Sequence, residues 1–90
     1  MHGFRWNHWN LGHIAEHGVD PTEVESVVRS AHRPFPRRIG EGKYLVMGQG
    51  RGGRHLHVIF VLDQNGTVFV IHARPLKEAE KRRYRRWLHP

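Results

Sequence analysis

The run His55-Leu-His-Val-Ile-Phe-Val-Leu62, then Asp63-Gln-Asn-Gly66, then Thr67-Val-Phe-Val-Ile-His-Ala-Arg74 decides the fold. Two β-branched and aromatic segments flank an Asn65-Gly66 dipeptide. Asn and Gly accept the positive φ that a tight turn between twisted strands demands, so this pattern predicts an antiparallel hairpin. Side chains alternate faces along a strand. With Asn65 and Gly66 as the loop, Ile59 lies opposite His72 and His57 opposite Arg74. With Asp63 to Gly66 as the loop, Leu62 pairs with Thr67 and His57 moves opposite His72. Either register gathers His55, His57, His72 and Arg74 on one face. Leu56, Val58, Phe60 and Leu62 share the other face with Phe69, Ile71 and Ala73, which is the expected core. A three- or five-residue loop breaks the grouping, because a one-residue slip turns every side chain to the opposite face.

Outward from the hairpin, Lys43 to Met47 reads as a strand and Arg37 to Ile39 as a short one, with Gly40-Glu-Gly42 as the turn between them. Gly48-Gln-Gly-Arg-Gly-Gly53 is a glycine-rich loop with Arg51 at its tip. Pro34 and Pro36 separate the strands from two upstream helices. The first spans Trp9 to His17, with Leu11, Ile14 and Ala15 among its apolar positions, and stops at Gly18. The second runs from Pro21 to about Ser30: Asp20 supplies the cap, Pro21 the first turn and Glu23 the acid of a capping box. Its buried stripe is Val24, Val27, Val28 and Ala31. A last helix is expected from Leu76 to Leu88. The order predicts an α+β fold for a single domain over 1–90: two N-terminal helices, a three- to four-stranded antiparallel meander and a basic C-terminal helix. The helices should pack on one sheet face and leave the other free.

The 90 residues include 15 Lys and Arg against 8 Asp and Glu, a formal charge of +7 with a pI near 11.1. That balance points to a polyanionic partner, nucleic acid or an acidic protein. The absence of cysteine rules out disulfides and thiolate metal sites. No run approaches the ~18 apolar residues of a membrane span. Met1-His-Gly-Phe-Arg-Trp6 has no signal-peptide pattern, so a cytoplasmic protein with no membrane partner is expected. His2, His8, His32 and His89 read as incidental surface residues.

Metal-free RNA cleavage needs a base for the 2′-OH proton, an acid for the leaving 5′-oxygen and a cation for the charge on the phosphorane. Histidine titrates near neutral pH and serves as either acid or base. Arginine grips a phosphate through two parallel hydrogen bonds. His57 and His72 are the candidate proton movers, and Arg54 and Arg74 the candidate phosphate clamps. Glu80 and Tyr84, one turn apart on the last helix, reach the same site if that helix packs beside the strand ends. Glu80 is read alternatively as an orienting acid paired with Arg83 or with a sheet arginine. Arg51, Lys77, Lys81 and Arg83 are the expected nucleic-acid contacts. Trp87 is expected to anchor the last helix. His13-Ile-Ala-Glu16-His17 spells the inverted zinc-peptidase motif, with both histidines on one helix turn. Without cysteine the third ligand has no obvious source, so no metal or other cofactor is expected.

Several blocks together resemble the BrnT family of RelE-like toxins of type II toxin–antitoxin systems. They are Asn10, His13, His17, Gly18 and Val19; Glu23, Glu25 and Val27; Tyr44, Val46 and Gly48; Gly53, Arg54, Leu56 and Val58; Ile71, Ala73 and Arg74; and Glu80, Arg82, Arg83 and Tyr84. The resemblance implies a small sheet with helices and an endoribonuclease toxin. It also implies an RNA substrate, a cognate ribbon-helix-helix antitoxin and homodimerisation through the toxin–antitoxin complex. By position it carries over Arg54, Arg74, Glu80 and Tyr84. The chain departs from the pattern at His8, where Lys is usual, at His72, where Thr or Ser is frequent, and at Pro75-Leu76, where a Ser or Thr cap is common. The alternative reading is a non-catalytic RNA-binding or degenerate toxin-like module that acts through a protein partner.

Overall fold

The structure, a computed structural model, describes residues 3–88, so His2 and His89 lie outside the described residues. Its elements are β1 (Phe4–Arg5), α1 (His8–Ala15), α2 (Pro21–Arg29), β2 (Arg37–Gly40), β3 (Lys43–Gln49), β4 (His55–Leu62), β5 (Val68–Pro75) and α3 (Glu78–Leu88). The strands form one sheet in the order β1-β5-β4-β3-β2. β2 to β5 are the expected antiparallel meander. β1 corrects the expectation. It pairs parallel to β5 through Phe4 with Val68 and Arg5 with Phe69, so the sheet has five strands and is mixed. Two residues carry no periodicity, which is why sequence patterning passes over this strand.

At the turn the hairpin takes the five-residue loop expected to break the grouping, and beyond a bulge it takes the register of the two-residue turn. At the turn Leu62 pairs with Val68, so the loop is the five residues Asp63 to Thr67. That slip alone would have turned the histidines over. A bulge then restores the phase: Phe60 pairs with Val70 but Ile59 with His72, leaving Ile71 as the extra residue. Beyond the bulge His57 faces Arg74, and the grouping of His55, His57, His72 and Arg74 on one face holds. Nearer the turn the core assignment is corrected. Val68 and Val70 are fully buried there, in place of Phe69 and Ile71, and Leu62 is 44% exposed.

The core joins Val24, Val27 and Val28 of α2 to Val46, Leu56, Val58, Phe60 and Ala73 of the sheet, with Ile14 of α1 and Leu76. Asp20 and Glu23 close the expected capping box on α2. A second capping box, Asn7 with Asn10, starts α1 at His8, one residue before the expected start. The buried Asn10 amide donates to the Arg5 carbonyl at 3.0 Å and ties the helix to β1. α1 ends at Ala15, so His17 lies in the following turn and not on the helix.

The second sheet face is not left free as expected. Trp9 stacks on Phe69 with ring centroids 5.9 Å apart, and His17 meets His72 edge-on at 5.4 Å. α3 begins at Glu78 and not Leu76, whose amide donates instead to the His55 carbonyl at 2.9 Å. Trp87 packs edge-on against Phe35 at 5.3 Å, as its anchoring role requires. No helix among the described residues is long and apolar enough to cross a membrane.

Candidate active site

Arg74 stands near the end of β5, where the chain leaves the sheet for α3. Glu80, on the first turn of α3, accepts from both guanidinium ends: Nη1 to Oε1 at 2.7 Å and Nη2 to Oε2 at 2.8 Å. Arg74 Nη1 also donates to the Pro75 carbonyl at 3.2 Å. The same Glu80 accepts the Lys77 amide at 2.8 Å, which makes it both a helix-end acceptor and the counter-ion of the sheet arginine. Hydrogen bonds from Arg74, together with its charge and the Lys77 amide, hold the Glu80 carboxyl at a pKa of about 2 against burial. It is ionised at any physiological pH and orients Arg74. The three donors spent on Glu80 and Pro75 leave Arg74 its Nε–H and a second Nη2 hydrogen. Those two lie side by side, the pair that matches two phosphate oxygens.

Across the strand pair from Arg74 lies His57, whose ring meets that of His72 edge-on at 5.8 Å. His17 extends the row beyond His72. Burial first, then the adjacent Arg74 charge, pushes the His57 pKa down to about 4. Its Nδ1 is buried without a hydrogen-bond partner. His72 is lowered by burial, then by Arg74, His17 and His13. Both imidazoles therefore carry no charge at neutral pH and can accept a proton. His55, two residues before His57 on the same face, is lowered by burial and by the nearby Lys81 and Arg85 cations. Its ring meets Tyr84 edge-on at 5.5 Å. Tyr84 is 5% exposed, and burial raises its phenol pKa, so it keeps its proton.

The fold thus gathers His57, His72, Arg74 and Glu80, with Tyr84 joined to them through His55. Arg54 is elsewhere. Its Nε and Nη2 reach Glu23 at 3.0 and 2.6 Å, and Nη2 also donates to the Gly18 carbonyl at 2.8 Å. Strand parity explains this, because Arg54 precedes β4 in phase with Leu56 and points toward α2. Its contact at Gly18 still borders the turn that carries His17. Lys77 is exposed just before α3 and Arg83 is exposed on it, and Lys81 pairs with Glu78 at 3.2 Å. Arg51 is exposed at the loop tip, with its amide anchored to Ser26 Oγ at 2.8 Å. Among the described residues no three His, Asp or Glu side chains are grouped to hold a metal ion, His13 and His17 included. Sequence reasoning missed His17 as a neighbour of His72 because it placed His17 on the helix. It also missed the second role of Glu23, a capping residue that doubles as the partner of Arg54.

No protein-family model matches the sequence, and no curated protein does. Among solved structures the chain is similar to the 1.1 Å crystal structure of the Brucella abortus ribonuclease toxin BrnT. The TM-score is 0.68 at 20% identity, with 84% of this chain and 97% of that chain covered. The BrnT-like fold read from the motifs is borne out.

Proposed function

We propose that this protein is a metal-independent endoribonuclease that acts as the toxin of a toxin–antitoxin pair. One observation carries the reading. A fold shared with a ribonuclease toxin brings two uncharged histidines beside an arginine whose side-on N–H pair is free. In this reading Arg74 grips the scissile phosphate and Glu80 fixes the plane of its guanidinium. One of His57 and His72 takes the 2′-OH proton, and the 2′-oxygen attacks phosphorus. The bound phosphate raises the pKa of the nearby imidazoles, because an opposite charge favours the protonated form. The second imidazole is then protonated and delivers its proton to the leaving 5′-oxygen. The products are a 2′,3′-cyclic phosphate and a free 5′-hydroxyl. Lys77, Lys81, Arg83 and Arg51 hold flanking phosphates. Arg54 supports the site by pinning the glycine-rich loop to α2.

The partners in this reading are RNA and a ribbon-helix-helix antitoxin that covers the basic face, and the compartment is the cytoplasm. The alternative, a non-catalytic RNA-binding or degenerate toxin-like module, draws on one feature: Arg74 and Glu80 neutralise each other. Induced expression in a bacterial host separates the two. The nuclease reading predicts growth arrest with breakdown of total RNA for the wild type and neither for Arg74→Ala at equal soluble level. Continued growth with intact RNA and soluble, folded wild type would favour the binding module.

A further inference from the structure

Beside the catalytic face lies a cleft of about 500 Å³ lined by Ser30, His32, Met47, Gly48, Gln49, Tyr84 and Leu88. In a chain with 15 Lys and Arg and 8 Asp and Glu, this lining contains none of them. Its floor is buried (Met47, Gly48 and Tyr84) and its walls are exposed. Such a surface suits an uncharged, flat, polar-edged group and not a phosphate.

Three features make it a built site. The Tyr84 ring is buried, yet its hydroxyl makes no hydrogen bond among the described residues and is not itself a buried atom, so it opens on the cleft as a free donor and acceptor. Gly48 keeps the space in front of that hydroxyl open, since a Cβ there would stand 3.8 Å from the Tyr84 oxygen and 3.5 Å from Val27. The third is the strand edge. β2 pairs with Lys43, Tyr44 and Leu45 only, so Met47 to Gln49 have no strand on their outer side. Main-chain donors and acceptors are thus available along the cleft.

We infer that the cleft receives one unpaired nucleobase of a single-stranded RNA, read on its edge by the Tyr84 hydroxyl and the free edge of β3. This rests on the reading of the adjacent face as an RNA site. The path is short: Tyr84 touches His55, His55 is two residues from His57, and His57 faces Arg74. A backbone phosphate at Arg74 therefore places a neighbouring base at the cleft, with Lys81 and Arg85 beside His55 to hold the chain between them. Tyr84 is too deeply buried to offer its ring face, so it contributes a hydrogen bond and not a stacking platform. Duplex RNA is excluded, because its bases are not free to enter.

The test is equilibrium binding, by fluorescence anisotropy, of short single-stranded oligonucleotides whose 2′-O-methyl groups prevent cleavage. One series carries each base in turn at every position, and a second carries an abasic residue at those positions. The inference predicts one position where the abasic residue weakens binding about tenfold or more, the order expected when one or two hydrogen bonds to a base edge are lost. Tyr84→Phe, which keeps the ring and its packing, should remove much of the base dependence at that position and leave abasic binding unchanged. Equal affinity for abasic and base-bearing RNA would overturn the inference while leaving the RNA-site reading intact. So would base dependence unmoved by Tyr84→Phe. Failure to bind either series would overturn both.

Discussion

Glu80→Gln removes the charge of the pair that orients Arg74. Gln has nearly the same size and keeps one oxygen for the Lys77 amide and Arg74 Nη1, but its NH2 replaces the oxygen that accepts from Arg74 Nη2, so the variant loses the ionic interaction and one of the two hydrogen bonds to Arg74. Two routes give its magnitude. The Glu80 carboxyl moves from 4.5 to about 2 on folding, and about 1.4 kcal/mol per pKa unit makes this about 3 kcal/mol. The exposures of Arg74 and Glu80 side chains are 20% and 10%, and breaking such a largely buried pair costs roughly 3 kcal/mol or more, because it leaves one charge unmatched. The sign with pH follows from the depressed pKa. The stabilisation is fully present above pH 4.5 and is lost as the pH falls toward 2. Urea unfolding of wild type and variant should therefore differ by about 3 kcal/mol at pH 7 and by roughly half that near pH 3. The other carboxylates with lowered pKa (Asp20, Glu23 and Asp63) titrate in both proteins and cancel in the difference. Equal stability at pH 7 to within about 0.5 kcal/mol would refute the reasoning. A difference that does not shrink in acid would refute it too.

The imidazole of His57, followed by NMR, should titrate near 4 in the free protein and move upward when inorganic phosphate or a non-cleavable RNA binds. A midpoint at 6.5 in the free protein would remove the case for its burial beside Arg74. Because its pKa is depressed, His57 also adds stability that is lost as the pH falls from 6.5 toward 4, and His57→Phe should flatten that part of the pH–stability curve. Arg54→Ala should cost up to about 1 kcal/mol, given 43% exposure of the arginine in its pair with Glu23. RNA cleavage should then fall far less than in Arg74→Ala, and an equal loss would place Arg54 in the chemistry. Alanine at Lys77, Lys81 or Arg83 should each lower the slope of log affinity against log salt by about 0.7, the single-strand value for one phosphate contact. An unchanged slope in all three variants would remove these residues from the interface.

The hairpin was legible because its signals are local: β-branched runs and the Asn65-Gly66 dipeptide between them. Its bulge was not, since nothing in Phe69-Val-Ile71 marks the extra residue. Ile71 becomes the odd residue only because Val68 and Val70 fit the core while His72 and Arg74 belong on the other face. The α2 capping box was readable from Asp20 and Glu23, as these act within one turn. β1 was not, because two residues have no period and their partner strand is more than sixty residues away. In the site, Arg74 and the histidines followed from parity. Glu80 as the partner of a sheet arginine stood among the sequence alternatives, but choosing between Arg74 and Arg83 needed the angle at which α3 leaves β5. The same limit hid the attachment of Arg54 to Glu23 and the contact of His17 with His72, both set by how α1 and α2 close over the sheet.

The most direct measurement is cleavage of a synthetic single-stranded RNA by the purified protein with chelator present, with product ends identified by mass spectrometry. The same assay is run on Arg74→Lys, which keeps a charge beside Glu80 but loses the fork. The account predicts 2′,3′-cyclic phosphate ends from the wild type and a fall of about a hundredfold or more in the folded variant. A wild type that leaves the RNA intact, or a variant that cuts as well as the wild type, would contradict it.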